Sequence, residues 1–226
     1  MGDLRSDLLR RVRDNLRDGA SHLARVALDS LAEYAAVETV DREDLRRELL
    51  SFADELGTVR PSMTAIHNLV ARWRTGVAEF DGDADALRAY AREQARAVRN
   101  WADAATDATV RCVIGRLGES GRVFTHSISS TVTRVLVRLP NQRFSAIVTE
   151  ARPALEGWNL AATLAQEGLS VTYVTDAQAG IFVREADAVL MGADAILADG
   201  SLVNKSGTYL IALAAREAGV PFYVCA

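Results

Sequence analysis

The stretch Arg122–Leu139, RVFTHSISSTVTRVLVRL, decides the fold of the second half of this chain. Arg122–Thr125 is a short β-rich run, the polar Thr125-His126-Ser127-Ile128-Ser129-Ser130-Thr131 follows it, and Val132–Leu139 reads as helix. Further β-rich runs lie at Phe144–Thr149, Val171–Val174, Ala188–Met191 and Pro221–Val224, with helical segments between most of them. Strands alternating with helices require right-handed βαβ crossovers, so a parallel sheet with helices on both faces is predicted. Within Ala195–Val203, Asp199-Gly200 sits between apolar pairs and predicts a hairpin. Residues 120–226 therefore read as a doubly wound α/β domain, whose ligands bind beyond the carboxyl ends of the strands.

Upstream, residues 1–119 read as a helical bundle. Leu4, Leu8, Val12 and Leu16 draw one apolar stripe, and Leu23, Val26, Leu28, Leu31 and Tyr34 carry the next after Gly19. Asp41 and the acidic Glu43 and Asp44 open a third helix, where negative charge suits the dipole. Pro61 suits the start of a fourth helix reaching about Phe80, and a long fifth runs from about Ala84 to about Leu117. The alternating Arg, Asp and Glu of this half read as a solvated face.

Of the chain, 49% is apolar, enough to bury a sizeable core, and the net charge of -4 gives no overall nucleic-acid-binding surface. Cys112 and Cys225 are too few for a disulfide framework and too far apart for a zinc motif. The charged MGDLRSDLLRRV start does not fit a signal peptide, and no apolar run of about 18 residues follows, so a cytoplasmic protein off the membrane is expected. Among the 26 Lys and Arg residues Lys205 is the single lysine, which suggests a place where a compact ammonium serves and a planar fork does not.

The chemistry gathers at the strand ends. No GxGxxG or P-loop follows the first strand, so no cofactor is expected. Instead Ser127, Ser129, Ser130 and Thr131 lead into a helix N-terminus, where hydroxyls, amides and dipole together suit an oxyanion. A single serine there would more commonly be a helix cap. Glu150 and Arg152 follow the second strand, Asp176 the third and Asp194 the fourth, while Asn204-Lys205-Ser206-Gly207-Thr208 opens the last helix. His126 is as readily a buried, hydrogen-bonded residue as a base, and Trp73, Trp101 and Trp158 read as core or interface.

At these residues the chain resembles the family uniting the alpha, beta and delta subunits of initiation factor 2B with sugar-phosphate aldose–ketose isomerases. The matching strings are THSISST (125–131), VTEARPALEG (148–157), VTDAQAG (174–180), GADAILADGSLVNKSGTY (192–209) and PFYV (221–224), with looser matches in DGASHLARVAL (18–28) and RPSMTAIHN (60–68). The resemblance implies a helical N-terminal domain, a Rossmann-like C-terminal domain and a homodimer formed through the latter. It also implies that a phosphorylated sugar or nucleotide binds through Arg60, Ser127, Ser129, Ser130, Thr131, Asp194, Asn204 and Lys205. Arg60 and Lys205 would neutralise phosphate, and Asp194 would meet a sugar hydroxyl. No direct nucleic-acid or metal site is expected; the resemblance leaves room for a translation-factor partner without naming one.

The isomerase branch uses a Cys after the Thr-His pair and an Asp in the GAD motif to move protons. Here the Asp is Asp194, but the Cys position holds Ser127. A serine hydroxyl is a far weaker acid than a thiol and needs an adjacent base. Ala195 follows the GAD motif and Asp18 precedes Gly19, where the enzymes tend to carry Arg. The sequence therefore reads as a non-catalytic subunit-like protein. The alternative is an isomerase acting on a substrate such as ribose 1,5-bisphosphate through Asp194 and Ser127 or another base; a third possibility is an interaction module with a vestigial pocket. The family continues beyond PFYV, whereas this chain stops at Ala226, so a short variant or a fragment is expected.

Overall fold

The computed structural model describes residues 2–15, 18–37 and 42–226. Leu16 and Asp41 of the helical reading lie outside the described residues. The chain divides into two compact units, Met1–Ala105 and Thr106–Ala226.

The first unit is helical, with α1 (Gly2–Arg13), α2 (Ala20–Tyr34), α3 (Arg42–Thr58), α4 (Thr64–Glu79) and most of α5 (Ala84–Ile114). Its core takes Leu8 and Val12 from α1, Leu23, Leu28 and Leu31 from α2, Phe52 from α3 and Trp73 from α4. The Trp73 indole N–H, which needs an acceptor once buried, donates to the Ala91 carbonyl at 2.8 Å. Two boundaries differ from the sequence reading. Pro61 does not start α4: the Met63 amide donates to the Arg60 carbonyl at 2.9 Å, closing a turn with proline at its second position, and the helix begins at Thr64. Proline presets φ for that turn position as well as for a helix start. α5 ends at Ile114 rather than near Leu117, ahead of Gly115 and of Gly118 at φ +76°.

The second unit holds a five-stranded parallel sheet of β1 (Gly121–His126), β2 (Phe144–Thr149), β3 (Ser170–Val174), β4 (Ala188–Met191) and β7 (Phe222–Val224). The spatial order is β3-β2-β1-β4-β7, so the strand order reverses between β1 and β4. A separate antiparallel pair, β5 (Ala195–Ile196) and β6 (Leu202–Val203), forms the expected hairpin around Asp199-Gly200.

Side chains alternate between the two faces of a strand, and the cores follow that alternation. Val123, Ala146, Val148 and Leu190 face one way, against Val132, Val135 and Leu136 of α6 (Ser130–Arg138), Leu160 and Leu164 of α7 (Glu156–Gln166), and Val110 and Val113 of α5. Phe124, Ile147, Val189 and Met191 face the other way, against Ala179 of α8 (Ala179–Phe182), Val183, and Ile211 and Ala215 of α9 (Thr208–Ala218). This is the doubly wound architecture the alternation predicts. α6 begins at Ser130, earlier than expected, because Ser129 caps it. Of the tryptophans only Trp73 is core; Trp101 and Trp158 are exposed, and Trp158 meets Tyr173 edge-on at 5.5 Å.

Candidate functional site at the strand-order reversal

A reversal of strand order forces the loops after β1 and β4 to diverge, which opens a crevice at the carboxyl edge. Around it the second unit closes a ring of contacts. After β1, Ser129 accepts from the Val132 amide at 3.4 Å and caps α6. After β4, Gly192 lies so close to it that a Cβ there would stand 2.6 Å from the Ser129 hydroxyl oxygen. Asp194, two residues on, donates its amide to the Val203 carbonyl at 2.9 Å, which ties it to the strand that leads into Asn204. The Asn204 amide group donates to the Thr208 hydroxyl at 2.9 Å, and that hydroxyl donates to the Lys205 carbonyl at 2.8 Å. Lys205 then pairs with Glu156 in the first turn of α7, and the Ser127 hydroxyl donates to the same Glu156 oxygen at 3.4 Å. The N-termini of α6, α7 and α9 all lie on this ring.

Local backbone explains several of these placements. Ser127 has φ +64°, a left-handed conformation sparsely used by residues with a Cβ. Gly157 admits α7 to the end of β2: a Cβ there would lie 1.8 Å from the Thr149 carbonyl oxygen. Gly207 precedes α9 at φ +104°, and its Cβ position is 3.0 Å from His126 Nε2.

His126 is buried and fully engaged. Nε2 lies 2.7 Å from the Ser206 carbonyl, which only accepts, so Nε2 carries the proton. Nδ1 lies 2.5 Å from the Thr149 hydroxyl and 3.6 Å from Asp176. His126 thus fastens the loop bearing Lys205 to the end of β1. Asp176 in turn accepts from the amides of Ala151 at 2.9 Å and Arg152 at 2.8 Å. Burial works to raise the Asp176 pKa, but the Arg152 and Ala151 amides, with His126 and the Thr149 hydroxyl, outweigh it and hold the carboxyl below its ordinary value.

Of the residues singled out in the sequence, Ser127, Ser129, Asp194, Asn204 and Lys205 stand on the ring, with Ser130 in the first turn of α6. Thr131 is buried, unlike the half-buried Ser129 and Ser130. Arg60 lies in the first unit, where its guanidinium donates to the carbonyls of Arg13 and Asn15, each at 3.1 Å. The residue sequence reasoning missed is Glu156. It had a signal: an acid in the first turn of the helix after β2, placed like the polar residues after the other strands.

Comparison with known proteins agrees with this geometry. Residues 16–226 match the Initiation factor 2 subunit family. A protein of Pyrococcus horikoshii named translation initiation factor eIF-2B subunit 2-like is 35% identical, covering 97% of this chain and 76% of its own. Ribose 1,5-bisphosphate isomerase of Archaeoglobus fulgidus is 33% identical, covering 92% of this chain and 66% of its own. The crystal structure of the Pyrococcus horikoshii translation initiation factor eIF-2B superposes with a TM-score of 0.86 at 32% identity, covering 97% of this chain and 77% of that one. The strings at the strand ends, the strand order they build and these matches agree: the chain belongs to the Initiation factor 2 subunit family.

Proposed function

We propose that the chain is a cytoplasmic initiation factor 2B subunit-like protein that binds a phosphorylated sugar or nucleotide without converting it, and acts through dimerisation or a protein partner. The observation that carries this reading is the surroundings of Ser127. At the position where the isomerase branch uses a thiol, a serine hydroxyl needs a neighbouring base. Both ring nitrogens of His126 are spent on Thr149 and Ser206. The acid that the Ser127 hydroxyl meets is Glu156, and the oxygen facing Ser127 is already held by the Lys205 ammonium. Binding needs no such base: half-buried hydroxyls, the first-turn amides of α6 and one ammonium suffice to hold an anionic ligand.

Two measurements test it together. Turnover of ribose 1,5-bisphosphate and methylthioribose 1-phosphate is expected to be negligible. A rate within about tenfold of a genuine isomerase, roughly 1.4 kcal/mol in barrier, and lost in Asp194→Asn, would establish the isomerase reading instead. A screen of sugar phosphates and nucleoside monophosphates is expected to raise the melting midpoint. At 100 times its dissociation constant a ligand adds about 2.7 kcal/mol, a rise on the order of several degrees for a chain of this length. Lys205→Ala should reduce that rise, and the absence of any shift at millimolar ligand would sink the binding reading.

A further inference from the structure

We infer that Glu156 makes the crevice selective for phosphate esters whose alcohol part carries hydroxyl groups, against esters that carry none. The inference rests on the proposed reading of the crevice as a phosphate-ester site and adds the residue that chooses among such esters.

The Glu156 carboxylate is unevenly paired, with both of its hydrogen-bond donors on one oxygen. One oxygen accepts from Lys205 and from Ser127. The other, Oε2, is closed off from solvent and has no hydrogen-bond donor among the described residues. The side chains of Lys205 and Glu156 are 25% and 18% exposed, so water screens their pairing far less than it would at an open surface. A phosphate that takes the Lys205 ammonium as its counterion must compete with Glu156 for it. If it succeeds, Glu156 is left as a largely buried carboxylate without its cation, which is the costly way to break such a pair.

The cost falls differently on different esters. An ester phosphate in its dianionic form has acceptors only and offers Glu156 nothing. Sugar or polyol hydroxyls bring O–H donors that can replace the Lys205 ammonium at the oxygen it leaves. With them the exchange is balanced: Lys205 passes from Glu156 to phosphate, and Glu156 passes from Lys205 to ligand hydroxyls. Hydrogen bonds to an ionised acceptor are the stronger ones.

The test compares three probes of similar charge by titration calorimetry at pH 8, where an ester phosphate is a dianion: propyl phosphate, glycerol 3-phosphate and ribose 5-phosphate. The two hydroxylated esters are expected to bind at least about tenfold more tightly than propyl phosphate. Glu156→Gln keeps the shape and removes the charge, so it should narrow that gap to about threefold or less, chiefly by improving propyl phosphate. Equal affinity of propyl phosphate and glycerol 3-phosphate for the parent protein would overturn the inference while leaving the phosphate-ester reading standing. So would an unchanged gap in a folded Glu156→Gln protein. If none of the probes binds, the inference falls, and the wider screen of sugar phosphates and nucleoside monophosphates decides the binding reading. Should Glu156→Gln fail to fold by circular dichroism, the comparison of probes on the parent protein decides alone.

Discussion

At the scale of single residues, the site depends on contacts that lie far apart in sequence and close in space. Gly157 is the clearest case. Any side chain would drive a carbon into the Thr149 carbonyl, 1.8 Å from its Cβ position, and the nearest atoms it would meet are all backbone, which cannot swing aside. Gly157→Ala is expected to cost about 3 kcal/mol or more, at the severe end for a single substitution, and denaturant unfolding should show a lower midpoint. A loss under about 1 kcal/mol would mean that α7 can leave its seat on β2. Asp176 makes a second prediction. Its carboxyl is held below its ordinary value in the fold, so the ionised form is the one the fold stabilises. That contribution is complete above the unfolded value of about 3.9 and is lost as pH falls through the lower folded value. Stability of the parent protein should therefore fall more steeply than that of Asp176→Asn as pH drops below about 4; parallel acid limbs would contradict the assignment. Sequence carried the hydroxyls, Asp194 and Lys205 to this edge, because residue type and position after a strand suffice for that. It could not show that Lys205 is paired with Glu156, or that Ser127 takes φ +64°, since both depend on where β2 and α7 lie relative to β1.

At the scale of elements, legibility follows how local the cause is. The parallel strands were legible from their β-rich runs and the helical segments between them, and the hairpin from Asp199-Gly200, where Gly200 takes φ +82°. The start of α4 was not, because proline fits a turn and a helix start equally and only the Met63-to-Arg60 hydrogen bond separates them. Ser129 is a cap as well as a candidate ligand residue, and the two roles separate by experiment. Removing the cap in Ser129→Ala should cost about 0.5–1 kcal/mol, low in the range for such losses, because the bond is long at 3.4 Å. Ligand binding should weaken as well, by less than in Lys205→Ala, since one neutral donor is lost and not a charge. A protein as stable as its parent but blind to ligand would assign Ser129 to binding alone.

At the scale of the whole molecule, the doubly wound class and the family were legible because strand-end strings recur together in order, whereas a strand order of β3-β2-β1-β4-β7 is a property of the assembled sheet. Assembly between copies of the chain is the remaining question at this scale, and the second unit bears on it. Beside Leu155, Trp158, Tyr173 and Ile181, its exposed large apolar residues are Ile196, Leu197 and Val203 on the β5–β6 hairpin and Tyr209 and Leu210 in the first turn of α9, five within fifteen residues of chain. Single exposed apolar side chains need no explanation, but a concentration of large ones marks an association surface. Tyr209 and Leu210 are 74% and 69% exposed, so charging them should leave the folded unit nearly untouched. The parent protein is expected to sediment as a dimer at micromolar concentration. Leu210→Glu combined with Tyr209→Glu should sediment as a monomer, because burying two carboxylates in an apolar contact without partners is prohibitive. Its far-ultraviolet circular dichroism should match that of the parent. A monomeric parent protein, or a doubly charged variant that still dimerises, would remove this surface from the account.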